Sequence, residues 1–179
     1  GKSLEICCMH LDNGQMWIGT TTNGAYRLQL DKNELTHPIL KGNITSIYQD
    51  SEGELWIGSW EEGLHHVKTD GTIEIFEYDA KNPYSISSNF VRACCEDNLG
   101  NIWIGTFNGL NRYDKSTGLF QNHTASDAQS DGLTHSSIWC IVKDNQGTLW
   151  LGTYFGGVNY FNPEYEIYSR YMYSPIEKK

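Results

Sequence analysis

The sequence has no apolar run near the ~20 residues that a membrane-spanning helix needs. No signal-peptide pattern opens it either, although Gly1-Lys2 reads as a processed or engineered start, so that absence says little about location. Positive charge is scarce: 13 Lys and Arg stand against 22 Asp and Glu, for a net charge of −9. Nucleic acids are held by clustered Lys and Arg on their phosphates, so the balance argues against such a partner, and it disfavours contact with an anionic membrane. Neutral ligands, cationic ligands and proteins stay open. No segment of useful length has a helical period, and no interdomain linker interrupts the chain. No CxxC spacing suggests zinc, and the odd count of five cysteines, two pairs of them adjacent, is unlike a disulfide framework. The glycines do not gather into a phosphate loop, and no GxSxG elbow or defensible Ser/His/Asp set is present.

What the sequence does have is recurrence. DNLGNIWIGTFNGLNRYD at 97–114 contains an Asp-x-x-Gly turn, a short apolar run, an Asn-Gly turn and a second half-apolar run. Such turns supply the backbone angles of hairpins, so the stretch reads as two strands. DSEGELWIGSWEEGLHHVK at 50–68, DNQGTLWLGTYFGGVNYFN at 144–162 and a shorter DNGQMWIGTTTNGAYRL at 12–28 repeat it. The anchor residues Trp17, Trp56, Trp103 and Trp150 are spaced 39, 47 and 47 residues apart. A period in the forties built of strands and turns predicts an all-β fold of β-propeller blades.

Each repeat reads as four antiparallel strands. The first is headed by Ile6, Ile44, Val91 or Ile138, and four residues before the turn Asp it carries a small side chain: Cys8, Ser46, Ala93 and Cys140. One residue later stand Met9, Ile47, Cys94 and Ile141, all apolar. Cysteine in these columns is expected as a small buried hydrophobe, which predicts Cys8, Cys94 and Cys140 in an inner-strand core. The Trp-Ile/Leu-Gly-Thr/Ser strand follows, then a third strand opening after Gly24, Gly63, Gly109 or Gly157. Outer strands are expected at 34–40, 72–78, 119–124 and 167–173, and residues 79–89 and 125–137 read as surface loops. The whole is one partial propeller or small ring, with blades at approximately 3–40, 41–79, 88–124 and 135–173. Four blades leave three possible assemblies: a tight ring, two chains forming an eight-blade ring, or an open arc that self-associates to cover its end faces.

The pattern Ile-x-x-Ile-x-x-Asp-x-x-Gly-x-Leu-Trp-Ile-Gly-Thr-x-x-Gly-Leu-x-x-Tyr-Asp resembles the two-component regulator propeller. Asp97, Gly100, Trp103, Gly105, Thr106, Gly109 and Tyr113 fit it, as do Asp50, Gly53, Trp56, Gly58 and Gly63, and Asp144, Gly147, Trp150, Gly152 and Gly157. Departures are Ser59 for Thr, Val158 for Leu, and a turn one residue short at 12–17. Propellers of this family form the periplasmic sensor region of hybrid two-component regulators of gut Bacteroides. They usually have about seven blades, followed by a small β-domain, a membrane helix and a kinase. The resemblance therefore implies a piece of a sensor, or a short one, partnered by the rest of the receptor including its kinase. It also implies glycan-derived oligosaccharides as the class of signal, with no cofactor. The alternatives are a protein–protein interaction propeller that assembles dimers, and a propeller-fold polysaccharide lyase.

Among individual residues, Asp12, Asp50, Asp97 and Asp144 read as turn formers that accept backbone amides, not as metal ligands. His65 and His66 are neighbours on a strand and point to opposite faces, while His10, His37, His123 and His135 lack partners at ligand spacing, so no metal site is expected. No catalytic residue is expected. The one column suggestive of binding follows the Trp-Ile-Gly-Thr core: Thr21, Trp60, Phe107 and Tyr154, with Glu61, Glu62, Asn108 and Phe155 beside them. Aromatic rings next to carboxylates and amides suit sugars, which offer apolar ring faces and hydroxyl edges.

Overall fold

The computed structural model describes residues 4–36, 38–125, 132–164 and 167–171. His37, the loop residues 126–131 and the expected strand end at 172–173 lie outside them. Among the described residues, sixteen strands form four sheets, each a simple antiparallel meander. Blade 1 holds β1 (Ile6–Asp12), β2 (Gln15–Thr20), β3 (Ala25–Gln29) and β4 (Glu34–Leu35). Blade 2 holds β5 (Ile44–Gln49), β6 (Leu55–Ser59), β7 (Leu64–Val67) and β8 (Ile73–Phe76). Blade 3 holds β9 (Val91–Glu96), β10 (Ile102–Thr106), β11 (Gly109–Asp114) and β12 (Leu119–His123). Blade 4 holds β13 (Ile138–Lys143), β14 (Leu149–Thr153), β15 (Val158–Asn162) and β16 (Ile167–Tyr171).

The turn chemistry works as the repeat demands, and it does more. Asp50 Oδ1 accepts the amides of Glu52 and Glu54, which closes the turn, while its Oδ2 accepts the indole Nε1 of Trp56 at 2.9 Å. Asp97 does the same for Trp103 and Asp144 for Trp150. One carboxylate thus shapes the hairpin and fixes the ring that the next layer packs on. Blade 1 lacks this device because its turn is short. There Asn13 and Gly14 both take positive φ, 43° and 79°, the two-residue hairpin geometry.

Inner strands β1, β5, β9 and β13 stand side by side in that order, and a hydrophobic core fills each gap between neighbouring blades. The joint is the same each time. Gly19, Gly58 and Gly105 leave room for the head residue of the next blade: a Cβ on Gly58 would meet Val91 Cγ1 at 2.7 Å, and one on Gly105 would meet Ile138 Cγ2 at 2.7 Å. Ile44, Val91 and Ile138 are accordingly fully buried, 0% exposed.

The ring is not closed. Ile6, the equivalent head residue of blade 1, is 50% exposed, and Met9 and Leu11 on the same strand are exposed with it. At the other end Val142, Val158 and Tyr171 are exposed, and a Cβ on Gly152 would meet only Cys140 Sγ among the described residues. The tight four-blade ring is therefore excluded. This also corrects the cysteine expectation: Cys94 is buried and Cys8 partly so, but Cys140 is exposed. Met9 departs from its column for the same reason. Burial in these columns comes from the neighbouring blade, and the end blades each lack one.

The connections need a second correction. Ser85, Ile86, Ser87 and Ser88 are buried, as is Leu133, so the ends of both long loops are core rather than surface. Ile86 enters the core between blades 2 and 3, and Leu133 that between blades 3 and 4. Each lies five residues before an inner-strand head, as does Ile39, which packs on the first core. That shared offset is a signal the sequence carried. In blades 1 to 3 the expected outer strands shorten, most of all in blade 1, where Glu34–Leu35 is the paired stretch among the described residues and Leu40 makes an isolated bridge to Ala25. Beyond Leu35 the outer layer of blade 1 has no continuous ladder to extend.

Candidate functional site

One end of the blades is built by a repeated backbone bond. The residue after each Trp-Ile/Leu-Gly-Thr/Ser core donates its amide to the residue that precedes an inner strand. The pairs are Thr21 to Glu5, Trp60 to Asn43, Phe107 to Phe90 and Tyr154 to Ser137, all at 3.0 Å. The suspected column therefore occupies structurally equivalent places in four blades. Ser59 and Thr153 hold the turn that follows, their hydroxyls donating to the carbonyls of Gly63 and Gly157 and accepting the amides of Glu62 and Gly156. At Gly63 the left-handed backbone, φ 74°, and the closeness of the Phe76 carbonyl leave no room for a side chain.

A feature unseen in the sequence sits next to this column. Every inner strand has a β-bulge at its second residue, between Ile6 and Cys8, Ile44 and Ser46, Val91 and Ala93, and Ile138 and Cys140. The extra residues are Cys7, Thr45, Arg92 and Trp139. A bulge frees a residue from the ladder and re-aims its side chain. In blades 1 and 2 that side chain ties to the next blade: Cys7 Sγ donates to the Ile44 carbonyl at 2.7 Å and Thr45 Oγ1 to the Val91 carbonyl at 2.6 Å. In blades 3 and 4 the residue is large and joins the aromatic column instead.

The result is a continuous row of rings across blades 2 to 4. Trp60 meets Phe90 edge-on at 5.5 Å, and Phe90 meets Phe107 at 6.2 Å. Trp139 lies 5.7 Å from Tyr154, which meets Phe155 edge-on at 4.3 Å, and Phe155 meets His135. The Arg92 guanidinium links the two halves, 4.1 Å from the Trp139 ring centre, 5.3 Å from Trp60 and 5.6 Å from Phe107. Trp60, Phe107, Trp139, Tyr154 and Phe155 are all exposed. Sequence reasoning named Trp60, Phe107, Tyr154 and Phe155 and missed Phe90, Arg92 and Trp139. Of the polar candidates, Glu61 and Asn108 are exposed in the same loops, and the Glu62 carboxylate packs on Gly42.

The other polar clusters have structural work. Asp50, Glu52 and Glu54 lie close enough to suggest a cation site. Lys115 Nζ, however, donates to Asp50 at 3.0 Å and Glu52 at 2.9 Å, and Glu54 bonds His66 at 2.6 Å. Burial works against the Asp50 charge, yet the bonds from Trp56 and Lys115 outweigh it and hold its pKa below the usual carboxylate value. His66 stacks on Trp56 at 3.9 Å, whereas His65 is buried with its pKa lowered by desolvation. Buried Asn111 and Asn159, on the third strands, accept the amides of Ser87 and Thr134 and so pin the loop ends to their blades. A groove between blades 1 and 2, lined by Trp17, Arg27, Ile39, Val67 and Ile73, opens near the Asp-turn end, away from the aromatic row.

Residues 38–61, 85–108 and 132–155 match the two-component regulator propeller family. The chain carries two-component regulator propeller repeats. Each matched segment runs from the buried loop end through the inner strand and Trp strand into the column residue, and blade 1, with its short turn, is not matched. No curated protein matches the chain. Among solved structures it is similar to the extracellular domain of a hybrid two-component system of B. thetaiotaomicron. That match has 22% identity and a TM-score of 0.56 and covers 95% of this chain and 28% of that one. The chain thus spans little more than a quarter of that domain. It is also similar to a gluconolactonase-type protein, at 14% identity and TM-score 0.62 over 94% of this chain and 63% of that one. The computationally designed Ika4 protein matches at 14% identity and TM-score 0.61 over 90% of this chain and 93% of that one. At these identities the likeness is one of fold.

Proposed function

We propose that the repeats form the ligand-binding part of an extracytoplasmic, periplasmic sensor of a hybrid two-component system, and that they take glycan-derived oligosaccharides on the aromatic row of blades 2 to 4. Binding there would be relayed to a kinase elsewhere in the receptor. The observation that carries this reading is the row itself. Neighbouring exposed rings on a soluble surface mark an interaction site, and ring faces suit the apolar faces of sugars. Glu61, Glu62 and Asn108 lie in the same loops and suit hydroxyl edges. The reading is of a binder rather than a catalyst, in line with the sensor-type family of the repeats. Calorimetric titration with glycan oligosaccharides tests it. Losing a desolvated aromatic contact costs about 2 kcal/mol, so Trp60→Ala and Tyr154→Ala should each weaken binding roughly thirtyfold, with unchanged melting. Unchanged affinity in both variants, or loss of their cooperative melt, would refute the reading.

A second role, as an assembly module, is favoured by the joint between blades. It is made three times within the chain, always from a glycine and the Ile or Val that heads the next inner strand. The same two parts, Gly152 and Ile6, are left uncovered at opposite ends. A second copy placed head to tail supplies the missing half of each, giving eight blades from two chains, within the usual range of four to eight. Light scattering should show a dimer that Ile6→Asp converts to monomer. A monomer at high concentration, indifferent to that substitution, would show that the end faces are covered in some other way.

A further inference from the structure

We infer that the sugar taken by the aromatic row is acidic, with its carboxylate or sulfate oxygens held by Arg92. This rests on the sensor reading above and adds the chemical class of the ligand. Arg92 departs from the rule of its column. Where Cys7 and Thr45 donate to the carbonyl of the next blade, no such bond is made by Arg92, whose guanidinium lies among the rings of Trp139, Trp60 and Phe107. Its Nε and Nη1 are shielded from solvent and meet no acceptor among the described residues. No carboxylate pairs with it among the described residues, although acidic side chains outnumber basic ones 22 to 13 in the chain. Among the described residues its guanidinium lies against three aromatic rings.

A guanidinium left without an acceptor in such surroundings is costly, and desolvation depresses the Arg92 pKa. Arginine nonetheless stays charged at neutral pH. With Nε and Nη1 covered, Nη2 is the nitrogen left to meet an oxygen of a carboxylate or sulfate, a charge-assisted bond that gains strength where water is excluded. The ring faces on either side place a sugar's apolar surface beside it, so one saccharide can stack on a ring while its acid group meets Nη2. Arg92 as a mere filler between rings would need only its cation–π contacts, and its neighbours would then bind neutral and acidic sugars alike. The net charge of −9 repels anions at a distance, so discrimination has to come from close contact at this one group.

Three matched probes separate the possibilities: a neutral xylo-oligosaccharide, the same oligosaccharide bearing glucuronic acid, and the same oligosaccharide bearing a sulfate ester. Each is titrated calorimetrically into the wild-type chain and into Arg92→Gln and Arg92→Lys. At least one acidic probe should bind ten times or more tighter than the neutral one, and which one identifies carboxylate or sulfate as the anion. Arg92→Gln should erase that difference, read as the ratio of acidic to neutral affinity within the variant. Arg92→Lys, which keeps the charge but not the planar group seated among the rings, should retain only part of it and guards against a variant that fails to fold. Equal binding of acidic and neutral probes to the wild type, or no binding of either acidic probe, overturns the inference. If Trp60→Ala still weakens neutral binding while the wild type treats all probes alike, the sensor face survives and only its acidic specificity is lost.

Discussion

Replacing Asp97 by alanine removes one carboxylate that holds a turn and a tryptophan together. Its Oδ1 accepts the amides of Leu99 and Asn101 at 2.9 Å, and its Oδ2 accepts Asn101 Nδ2 at 2.9 Å and Trp103 Nε1 at 2.7 Å. Trp103 is only 2% exposed, so its indole N–H has no water to turn to once the carboxylate is gone. An unmet buried donor costs about 1–3 kcal/mol, and each further bond lost from the turn adds ~0.5–1.5 kcal/mol, less what water restores at exposed amides. A total of about 3 kcal/mol follows. Asp144 holds Trp150 in the same way, but Trp150 lies on the open end of the arc and is part-exposed, so water replaces the lost acceptor. Its cost is correspondingly smaller. In a chain of this size each kcal/mol moves Tm by roughly 2–4 °C. Asp97→Ala should therefore lower Tm by about 6–12 °C and Asp144→Ala by less, read by circular dichroism at pH 7. Equal losses in the two variants would refute the claim that burial of the indole sets the cost.

Gly105→Ala places a methyl 2.7 Å from Ile138 Cγ2 inside the joint between blades 3 and 4, whereas at Gly152 the obstacle is the exposed Cys140 side chain, which can swing away. Overpacking of about 1–3 kcal/mol is expected at Gly105 and much less at Gly152, as urea midpoints would show; the reverse order would contradict the joint. A thiol reagent should label Cys7 and Cys140 in the native protein, both being exposed. Cys94, whose pKa burial pushes up to about 12, and Cys95, also raised by burial, should react only after unfolding. Rapid labelling of all five would contradict the burial pattern. Stability should also fall in acid. At Asp50, burial is outweighed by the bonds from Trp56 and Lys115, and at Asp144 the Trp150 bond leads, so both carboxyls sit below their usual pKa in the folded state. Their contribution is complete above the unfolded value and lost as pH falls through the folded one, so Tm should hold to about pH 5 and drop below roughly pH 4. A Tm unchanged down to pH 3 would show that these bonds contribute nothing net.

The amino-acid sequence by itself determined most of what repeats. Turn positions, inner-strand heads, the Trp strand and the aromatic column follow from local chemistry written several times over. Asp-x-x-Gly makes a turn wherever it stands, and Trp60, Phe107 and Tyr154 inherit equivalent places from the period. The sequence was silent where the outcome depends on what lies beside a residue. The bulges that turn Arg92 and Trp139 into the ring row arise from a one-residue mismatch between paired strands, which leaves no mark in either strand's own pattern. Ile86 and Leu133 read as loop because polar residues surround them, yet the gap between two blades buries them. Cys94 and Cys140 read alike, as do Ile44 and Ile6. One of each pair is covered and the other is not, because an interior blade has two neighbours and a blade at the end of the arc has one.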